Sequence, residues 1–416
     1  MGVTAIRGFN DILPGASLVW REIENEAARV FSSYGFSEIR IPVVEKTELF
    51  SRSIGETTDI VEKEMYTFSD RRGGSLTLRP EGTASVVRAY IEHRLYALPV
   101  ARLYYTGPMF RYERPQKGRY RQFYQIGAEV LGDDSPGADA ETIEMLMRLF
   151  ANLGLKGVSL KINSLGCQAC RPEYRTRLLA FLRGVADRLC ENCRRRIEAN
   201  PLRALDCKSA HCVEATKGAP SIIDSLCGDC RTHFSGVKDR LGLLGVDYAV
   251  DPRMVRGLDY YTRTTFEIIA AGLGAQNSVA AGGRYDRLVE DLGGPPTPCF
   301  GFAIGVERLS LILSPERFKA PPLVVFIAMG DEAASSGVEV IRRLRAGGLG
   351  VVEDFTPGGL KKRMKRADRT GARFTVILGS DELAEGAVTL KDMETSAQER
   401  VPIDGLAGAI TSKLQG

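Results

Sequence analysis

The sequence predicts an α+β fold, in which an antiparallel sheet with flanking helices is interrupted by a Cys-rich, mainly helical insertion and followed by a C-terminal α/β domain. Three observations carry this. Two strand-like runs, ARLYYTGPMFRYE and RQFYQIGAEVLG, face each other across the turn-prone loop RPQKGRY, the pattern of an antiparallel hairpin. Cysteines cluster between Cys167 and Cys230, where sheet-like alternation fades and basic helical pieces take over. Beyond residue 322 the pattern becomes strand, helix, strand, helix, strand, which calls for a parallel or mixed sheet covered by helices.

In chain order, SLVWREIENEAARVFSSYG reads as an opening helix. Ser17 is its expected N-cap, Val19, Ile23, Ala27, Val30 and Phe31 form its apolar stripe, and Gly35 ends it. FSEIRIPVVE follows as a strand, and SLTLRPEG as a short strand running into the helix TASVVRAYIEHRL. After the hairpin come a helix, DAETIEMLMRLFANLGL, and a strand, VSLKINSLG. The insertion opens on the basic helix RPEYRTRLLAFLRGVADRL. Strand-like sequence resumes at RTTFEIIA and NSVAAGGRYD, and CFGFAIGVERLSLIL supplies a strand leading into a helix. Pro and charge mark SPERFKAPP as a linker. The terminal unit then runs through PLVVFIAMG, VEVIRRLRAGG, LGVVEDF, LKKRMKRADRTGA and RFTVILG. The expected boundaries are 1–166 and 241–318 for a divided first domain, 167–240 for the insertion and 322–416 for the last unit.

A chain of 416 residues exceeds one ordinary domain, and 44% hydrophobic with 26% charged residues excludes a disordered one. The 56 basic and 52 acidic residues balance too closely to diagnose nucleic-acid binding, so local clusters must carry that argument. The N-terminus lacks the apolar core of a signal peptide, and no run of about eighteen apolar residues occurs, so a cytoplasmic protein with no membrane attachment is expected. In such a compartment the cysteines read as thiols or metal ligands. Cys167/Cys170, Cys190/Cys193 and Cys227/Cys230 are CxxC pairs, and Cys207/Cys212 has four intervening residues. Such spacings let two thiolates reach one tetrahedral Zn²⁺. Two Cys₄ sites are allowed in three combinations of pairs, with His211 and His233 as alternative ligands; reduced thiols that bind nothing are the plain alternative. Cys299 reads as a packed core thiol.

Chemistry concentrates in GPMFRYERPQKGRYRQFYQIGAEVLG, where Arg111, Arg114, Lys117, Arg119 and Arg121 crowd a hairpin between apolar and aromatic strands. Guanidinium groups fixed on a sheet grip phosphate oxygens in a forked geometry. Alone, the stretch reads more readily as a solvated basic loop. It occurs, however, with TLRPEGT, VRGLDYYTRTTFEI, AGGRYD and GFAIGVERL in a fixed order. In this the sequence closely resembles the class II aminoacyl-tRNA synthetases, and within them the histidyl family. The helix and strand ending at Pro42 resemble the first class II motif, the basic hairpin the second and GFAIGVERL the third. RGLDYY and AGGRYD resemble the two histidine-specific signatures.

The resemblance implies a class II antiparallel sheet, activation of L-histidine with ATP and Mg²⁺, transfer to tRNA(His), and a homodimer. Carried over by position, Arg111 holds the α-phosphate of ATP, Arg308 lies beside the triphosphate, and Glu113 and Arg119 complete the ATP set. Arg256 stabilises the pentacoordinate centre. Glu81, Thr83 and Gln125 address the α-amino end of histidine, while Glu129 and Tyr261 contact its ring. Tyr285 helps to close the pocket, and Tyr260 belongs to the same histidine-binding set. No Walker A sequence is present, which fits phosphate binding by arginines and Mg²⁺. Two rivals are a regulatory paralogue, expected to lack the C-terminal domain and an intact RGLDYY, and a zinc-dependent RNA-binding or structural protein with an inactive core. Resemblance of the terminal unit to an anticodon-binding domain implies that LKKRMKRADRTGAR faces tRNA and that the loop between Arg114 and Arg119 meets its acceptor end; a merely solvated basic helix is the plain alternative.

Overall fold

A computed structural model describes residues 2–55, 58–198, 200–271, 273, 277–314, 318 and 322–415. Contacts divide the chain into two units, Met1–Phe318 and Lys319–Gly416. The stretch expected as a linker, 314–322, lies mostly outside the described residues.

The strands of the first unit are β1 (Ser37–Glu38), β2 (Val44–Lys46), β3 (Tyr66–Ser69), β4 (Ser75–Leu78), β5 (Ala101–Phe110), β6 (Gln122–Leu131), β7 (Val158–Ser164), β8 (Tyr248–Val250), β9 (Thr262–Ala270), β10 (Ser278–Arg284) and β11 (Cys299–Gly305). Eight of them form one sheet in the order β1-β5-β6-β11-β10-β9-β7-β8. Its six inner strands pair antiparallel, and only the short edge strands β1 and β8 pair parallel. The expected hairpin is therefore β5–β6, in register from Ala101 opposite Leu131 to Phe110 opposite Gln122.

Strand alternation gives this sheet two chemically different faces. Ile126, Ala128, Val130, Phe266, Ile268, Phe300, Phe302 and Ile304 point into the main core, under the helices Ala16–Ser33 and Pro136–Asn152. The opposite face carries Gln125, Gly127 and Glu129 on β6 and the small residues Gly301, Ala303 and Gly305 on β11. That face is the floor on which a site can be built.

Two local expectations are corrected. The opening helix buries Val19, Ile23, Ala27, Val30 and Phe31 as expected, but its cap is Gly15, not Ser17. Gly15 has φ 94°, which glycine alone adopts without strain, and Ser17 already donates its N–H to the Leu13 carbonyl at 3.0 Å. FSEIRIPVVE is not one strand: β1 ends at Glu38 and β2 begins at Val44. Pro42 offers no N–H, and the carbonyls of Ile41 and Pro42 accept from the buried Arg79 guanidinium at 2.6 and 3.2 Å instead of from a strand.

The insertion is mainly helical, with helices Arg171–Gly184, Glu191–Arg196 and Ala210–Ala215. Its core is separate and joins Tyr174, Leu178, Leu182, Leu189, Leu205 and Leu226 to cysteine side chains. The next helix, Gly228–Leu243, places Phe234, Val237 and Leu241 in the main core.

In the second unit β12 (Leu323–Ala328), β13 (Gly350–Glu353), β14 (Phe374–Leu378), β15 (Ala387–Asp392) and β16 (Gln398–Pro402) form a mixed sheet in the order β13-β12-β14-β15-β16. The first three are parallel and the last two antiparallel. Helices Asp331–Ala346 and Leu406–Gln415 cover one face through Ile341, Leu344, Leu406 and Ile410. Among the described residues no helix is long and apolar enough to cross a membrane.

Candidate active site

A cleft of about 680 Å³ opens on the polar face of the large sheet. Its two ends differ in charge. At one end Glu129 is wholly buried, accepting from the Thr83 hydroxyl at 2.7 Å and from the Tyr285 hydroxyl. Burial pushes its carboxyl up to about 8, although both hydroxyl donors favour the ionised form. The carboxyl fits because Gly301 lies opposite it on β11: a Cβ there would come 1.6 Å from Glu129 Oε2.

Glu81 sits just before the helix Thr83–Glu92 and accepts from the Thr83 and Ala84 N–H groups at 2.7 and 2.8 Å. It thus satisfies donors that a helix start leaves open. Burial raises its pKa against these bonds. Tyr105 fills the space left by Gly82 and Gly127, where a Cβ would come within 2.2 and 2.3 Å of its ring. Gln125 Oε1 is buried without a hydrogen-bond partner, which is costly unless a ligand supplies the donor. Tyr260 packs 4.8 Å from Tyr261 and 5.6 Å from Tyr285 between ring centroids, closing this end.

The other end is cationic. Arg111 leaves β5, donates Nε to the Pro80 carbonyl at 2.8 Å and lays its guanidinium 5.2 Å from the Phe123 ring centroid. Glu113, 3.9 Å from Arg111, is ion-paired with Arg119. Arg308, in the first turn of the helix Val306–Ile312, donates to the carbonyls of Gly118 and Ser278 at 3.2 and 2.9 Å, tying the hairpin tip to β10. Burial and then the Arg111 charge lower the pKa of Arg308. Arg119 is likewise lowered by burial and by Arg111 and Arg308, against the pull of Glu64. Cations held this close favour a bound anion. Arg256 lies on the loop before β9, with its guanidinium 5.5 Å from the Tyr261 ring and its Nε buried without a hydrogen-bond partner.

The cleft thus lines Glu81, Thr83, Arg111, Glu113, Arg119, Gln125, Arg256, Tyr260, Tyr261 and Arg308 together, with Glu129 and Tyr285 packed behind them. Of the other basic residues in the hairpin, Arg114 and Lys117 are exposed, and Arg121 stacks 3.9 Å from the Tyr112 ring. Sequence reasoning missed Lys161 and Glu267, which face each other on β7 and β9, and Asp251, 2.9 Å from Lys161. A lone acid inside the apolar run TTFEIIA was the available signal for Glu267. Asp206 and Lys208, an ion pair at 2.7 Å contributed by the insertion, line the same cleft and gave no local signal.

The cysteines sort into two sets, Cys167/Cys170/Cys227/Cys230 and Cys190/Cys193/Cys207/Cys212, each with its sulfurs within 4.8 Å of one another. This selects one of the three combinations. The two histidines named as alternative ligands are engaged elsewhere: His233 Nε2 is 2.9 Å from Asp139 Oδ2, and His211 Nδ1 is 3.0 Å from the Ser209 hydroxyl. Cys299 is fully buried, with its Sγ 3.3 Å from the Thr297 carbonyl.

Known proteins resemble this chain along its whole length. The family model for histidyl-tRNA synthetase matches residues 8–169 and 207–309, and that for the anticodon binding domain matches 323–413. A histidine-tRNA ligase of Geobacter sulfurreducens is 58% identical, over 96% of this chain and 97% of that one. Another, of Syntrophotalea carbinolica, is 54% identical over the full length of both. The crystal structure of apo S. aureus histidyl-tRNA synthetase superposes with a TM-score of 0.81 at 38% identity, covering 98% of this chain and 99% of that chain. A sheet face that sets buried carboxylates against a cluster of arginines, and relatives matched from end to end, lead to one assignment: the chain belongs to the histidyl-tRNA synthetase family.

Proposed function

We propose that this chain activates L-histidine with ATP, releasing pyrophosphate, and transfers the histidyl group to the 3′ end of tRNA(His). The observation that carries the reading is the polarity of the cleft, with buried acceptors at one end and Arg111, Arg256 and Arg308 at the other. A zwitterionic amino acid with a polar ring suits the first end and a polyphosphate the second.

In this reading Glu81, Thr83 and Gln125 hold the α-ammonium group. Glu129 and Tyr261 meet the imidazole, and Tyr260 and Tyr285 wall the pocket. The histidine carboxylate oxygen then attacks the α-phosphorus of ATP, the bond to the bridging oxygen of the β-phosphate breaks, and pyrophosphate leaves. Arg111 and Arg256 bear the charge that accumulates on the α-phosphoryl oxygens, and Arg119 and Arg308 that on the leaving group. Glu113 and Glu267 are among the cleft carboxylates and would add protein oxygens to an Mg²⁺ bound with ATP, which would neutralise phosphate charge. In the second step the terminal tRNA hydroxyl attacks the activated carbonyl and AMP departs.

Selectivity follows from burial. A substrate without ring nitrogens gives Glu129 and Tyr261 no further hydrogen bond in place of the water it displaces, at about 1–3 kcal/mol for each neutral group. A homodimer and a cytoplasmic setting belong to the same reading. Exposed Val43, Val44, Leu98 and Val100 support the first, and nine cysteines outside any disulfide support the second. The matched anticodon binding domain argues against the regulatory rival, and RGLDYY stands intact. Histidine-dependent exchange of pyrophosphate into ATP tests the proposal: exchange with histidine and none with phenylalanine is expected, and a folded protein that exchanges neither overturns it.

A further inference from the structure

We propose that the insertion holds two zinc ions, one on Cys167, Cys170, Cys227 and Cys230 and one on Cys190, Cys193, Cys207 and Cys212, and that together they clamp the loop carrying Arg256. The distances are those of a tetrahedron. Cys167 Sγ lies 3.7 Å from Cys170 Sγ and 3.8 Å from Cys227 Sγ, and Cys190 Sγ lies 3.9 Å from Cys207 Sγ. Four sulfurs about 2.3 Å from a central ion are about 3.8 Å apart. A disulfide would need about 2.05 Å.

Backbone donors are also aimed at sulfur. The Cys227 N–H points to Cys170 Sγ at 3.1 Å, Cys190 N–H to Cys212 Sγ at 3.0 Å and Cys193 N–H to Cys190 Sγ at 3.4 Å. Such bonds spread the negative charge of thiolate ligands and orient them. Each thiol releases its proton to solvent on binding, and four soft, closed-shell ligands suit Zn²⁺ in a site with no open position. The insertion also requires a staple. Two of its helices, Glu191–Arg196 and Ala210–Ala215, have six residues each, far below the length at which a helix stands alone.

Both sets reach the loop from Arg253 to Tyr261. Arg171, next to Cys170, donates to the Tyr261 carbonyl. On the other side Thr216 donates its hydroxyl to the Cys212 carbonyl at 2.7 Å and accepts Arg253 through its carbonyl and hydroxyl oxygens, both at 2.7 Å. Arg203 donates to the Gly257 carbonyl at 2.7 Å, and Asn200 Nδ2 is 3.2 Å from Asp259 Oδ1. Arg256 itself is without a hydrogen bond at Nε, so the loop sets its position. Arg171, Arg203 and Arg253 are positioning residues, and the metal ions fix the helices that bear or receive them.

The clamp rests on the functional reading above; the metal sites do not. Elemental analysis of the full chain after exhaustive dialysis is expected to give about two zinc per chain. The double variant C190S/C212S should give about one, with kcat for exchange down about tenfold. Arg203→Gln touches no thiol; it should keep both zinc ions, lower kcat and leave the KM for histidine unchanged, which separates positioning from folding should the cysteine variant fail to fold. Cobalt replacing zinc in the intact chain should show thiolate-to-metal charge transfer and the strong bands of tetrahedral Co²⁺. Iron in place of zinc, or less than about half an ion per chain with nine free thiols counted in denaturant, overturns the metal sites. Two zinc ions with wild-type kcat in Arg203→Gln overturns the clamp. Two zinc ions in a chain without exchange activity supports the metal sites and overturns the functional reading alone.

Discussion

The hairpin of residues 111–121 and the helix Leu360–Arg369 are both strongly basic in sequence, with five and six cations, yet these cations live differently. In the hairpin Arg111 is half-buried, stacked on Phe123 and hydrogen-bonded to Pro80, and Arg308 ties the loop tip down. On the helix Lys361, Lys362, Lys365 and Arg369 are exposed, while Arg363 and Arg366 turn back to Asp354 at 3.3 and 2.8 Å. Charge density therefore does not distinguish a site from a surface; anchorage does. Fixed cations can stabilise one transition-state geometry, whereas mobile ones add a diffuse attraction that salt screens.

This contrast can be broken by experiment. Replacing an anchored cation should have the largest effect: Arg111→Ala or Arg256→Ala is expected to lower kcat for exchange by about 10²–10³, with histidine binding by Arg256→Ala largely kept. A loss of less than tenfold from either would put the chemistry elsewhere. Next comes Glu129, whose carboxyl burial pushes up to about 8. An ionised acceptor binds the imidazole N–H better, so the KM for histidine should fall as pH rises towards 8 and level off above it. Glu129→Gln should weaken binding and flatten that dependence, and an unchanged profile would remove Glu129 from the pocket.

Asp354 tests the helix from its buried side. Its carboxyl is held well below the usual range by Thr356, Arg366 and Arg363 although burial opposes this. The contribution to stability is present above the ordinary aspartate pKa and fades only as pH falls through the depressed value. Asp354→Ala should destabilise the second unit by about 1–3 kcal/mol, read by thermal unfolding. The smallest effect belongs to the exposed cations. Lys361, Lys362 and Lys365 changed together to Ala should weaken tRNA binding about tenfold at low salt and make it less salt-dependent. Equal loss at high salt would mean that they are anchored after all.

What the sequence could disclose follows the range of the interactions. The hairpin was legible because apolar alternation and its turn lie in one unbroken stretch from Ala101 to Leu131, and the opening helix because its stripe is local. Its cap was misread, since Ser17 is a better side-chain cap than Gly15 until the backbone at Gly15 is seen to turn. β15 and β16 were not named: they are the antiparallel strands that make mixed a sheet expected to be parallel or mixed. Arg79 and the wholly buried Arg284 gave no sign of burial: Arg79 reaches the carbonyls of Ile41, Pro42 and Pro108, and Arg284, besides its neighbour Asp286, pairs with the distant Asp139 at 2.9 Å. Asp206 and Lys208 are different: both are exposed and pair with each other two residues apart, and what their sequence could not disclose is that the insertion brings them to the cleft. The cysteine spacings fixed which pairs were close but left open which pairs meet, and only the path of the chain from Cys170 to Cys227 decides that.

Gly301 carries a consequence for how this protein tolerates change. It has no side chain to offer a ligand, yet the nearest mutation, to Ala, would place a methyl group on top of Glu129 Oε2. A survey of substitutions by their effect on growth would score position 301 among the most sensitive in the chain, and a map of ligand contacts would leave it blank. Recognition at Glu129 is partly written in the neighbouring strand, as a vacancy one carbon wide.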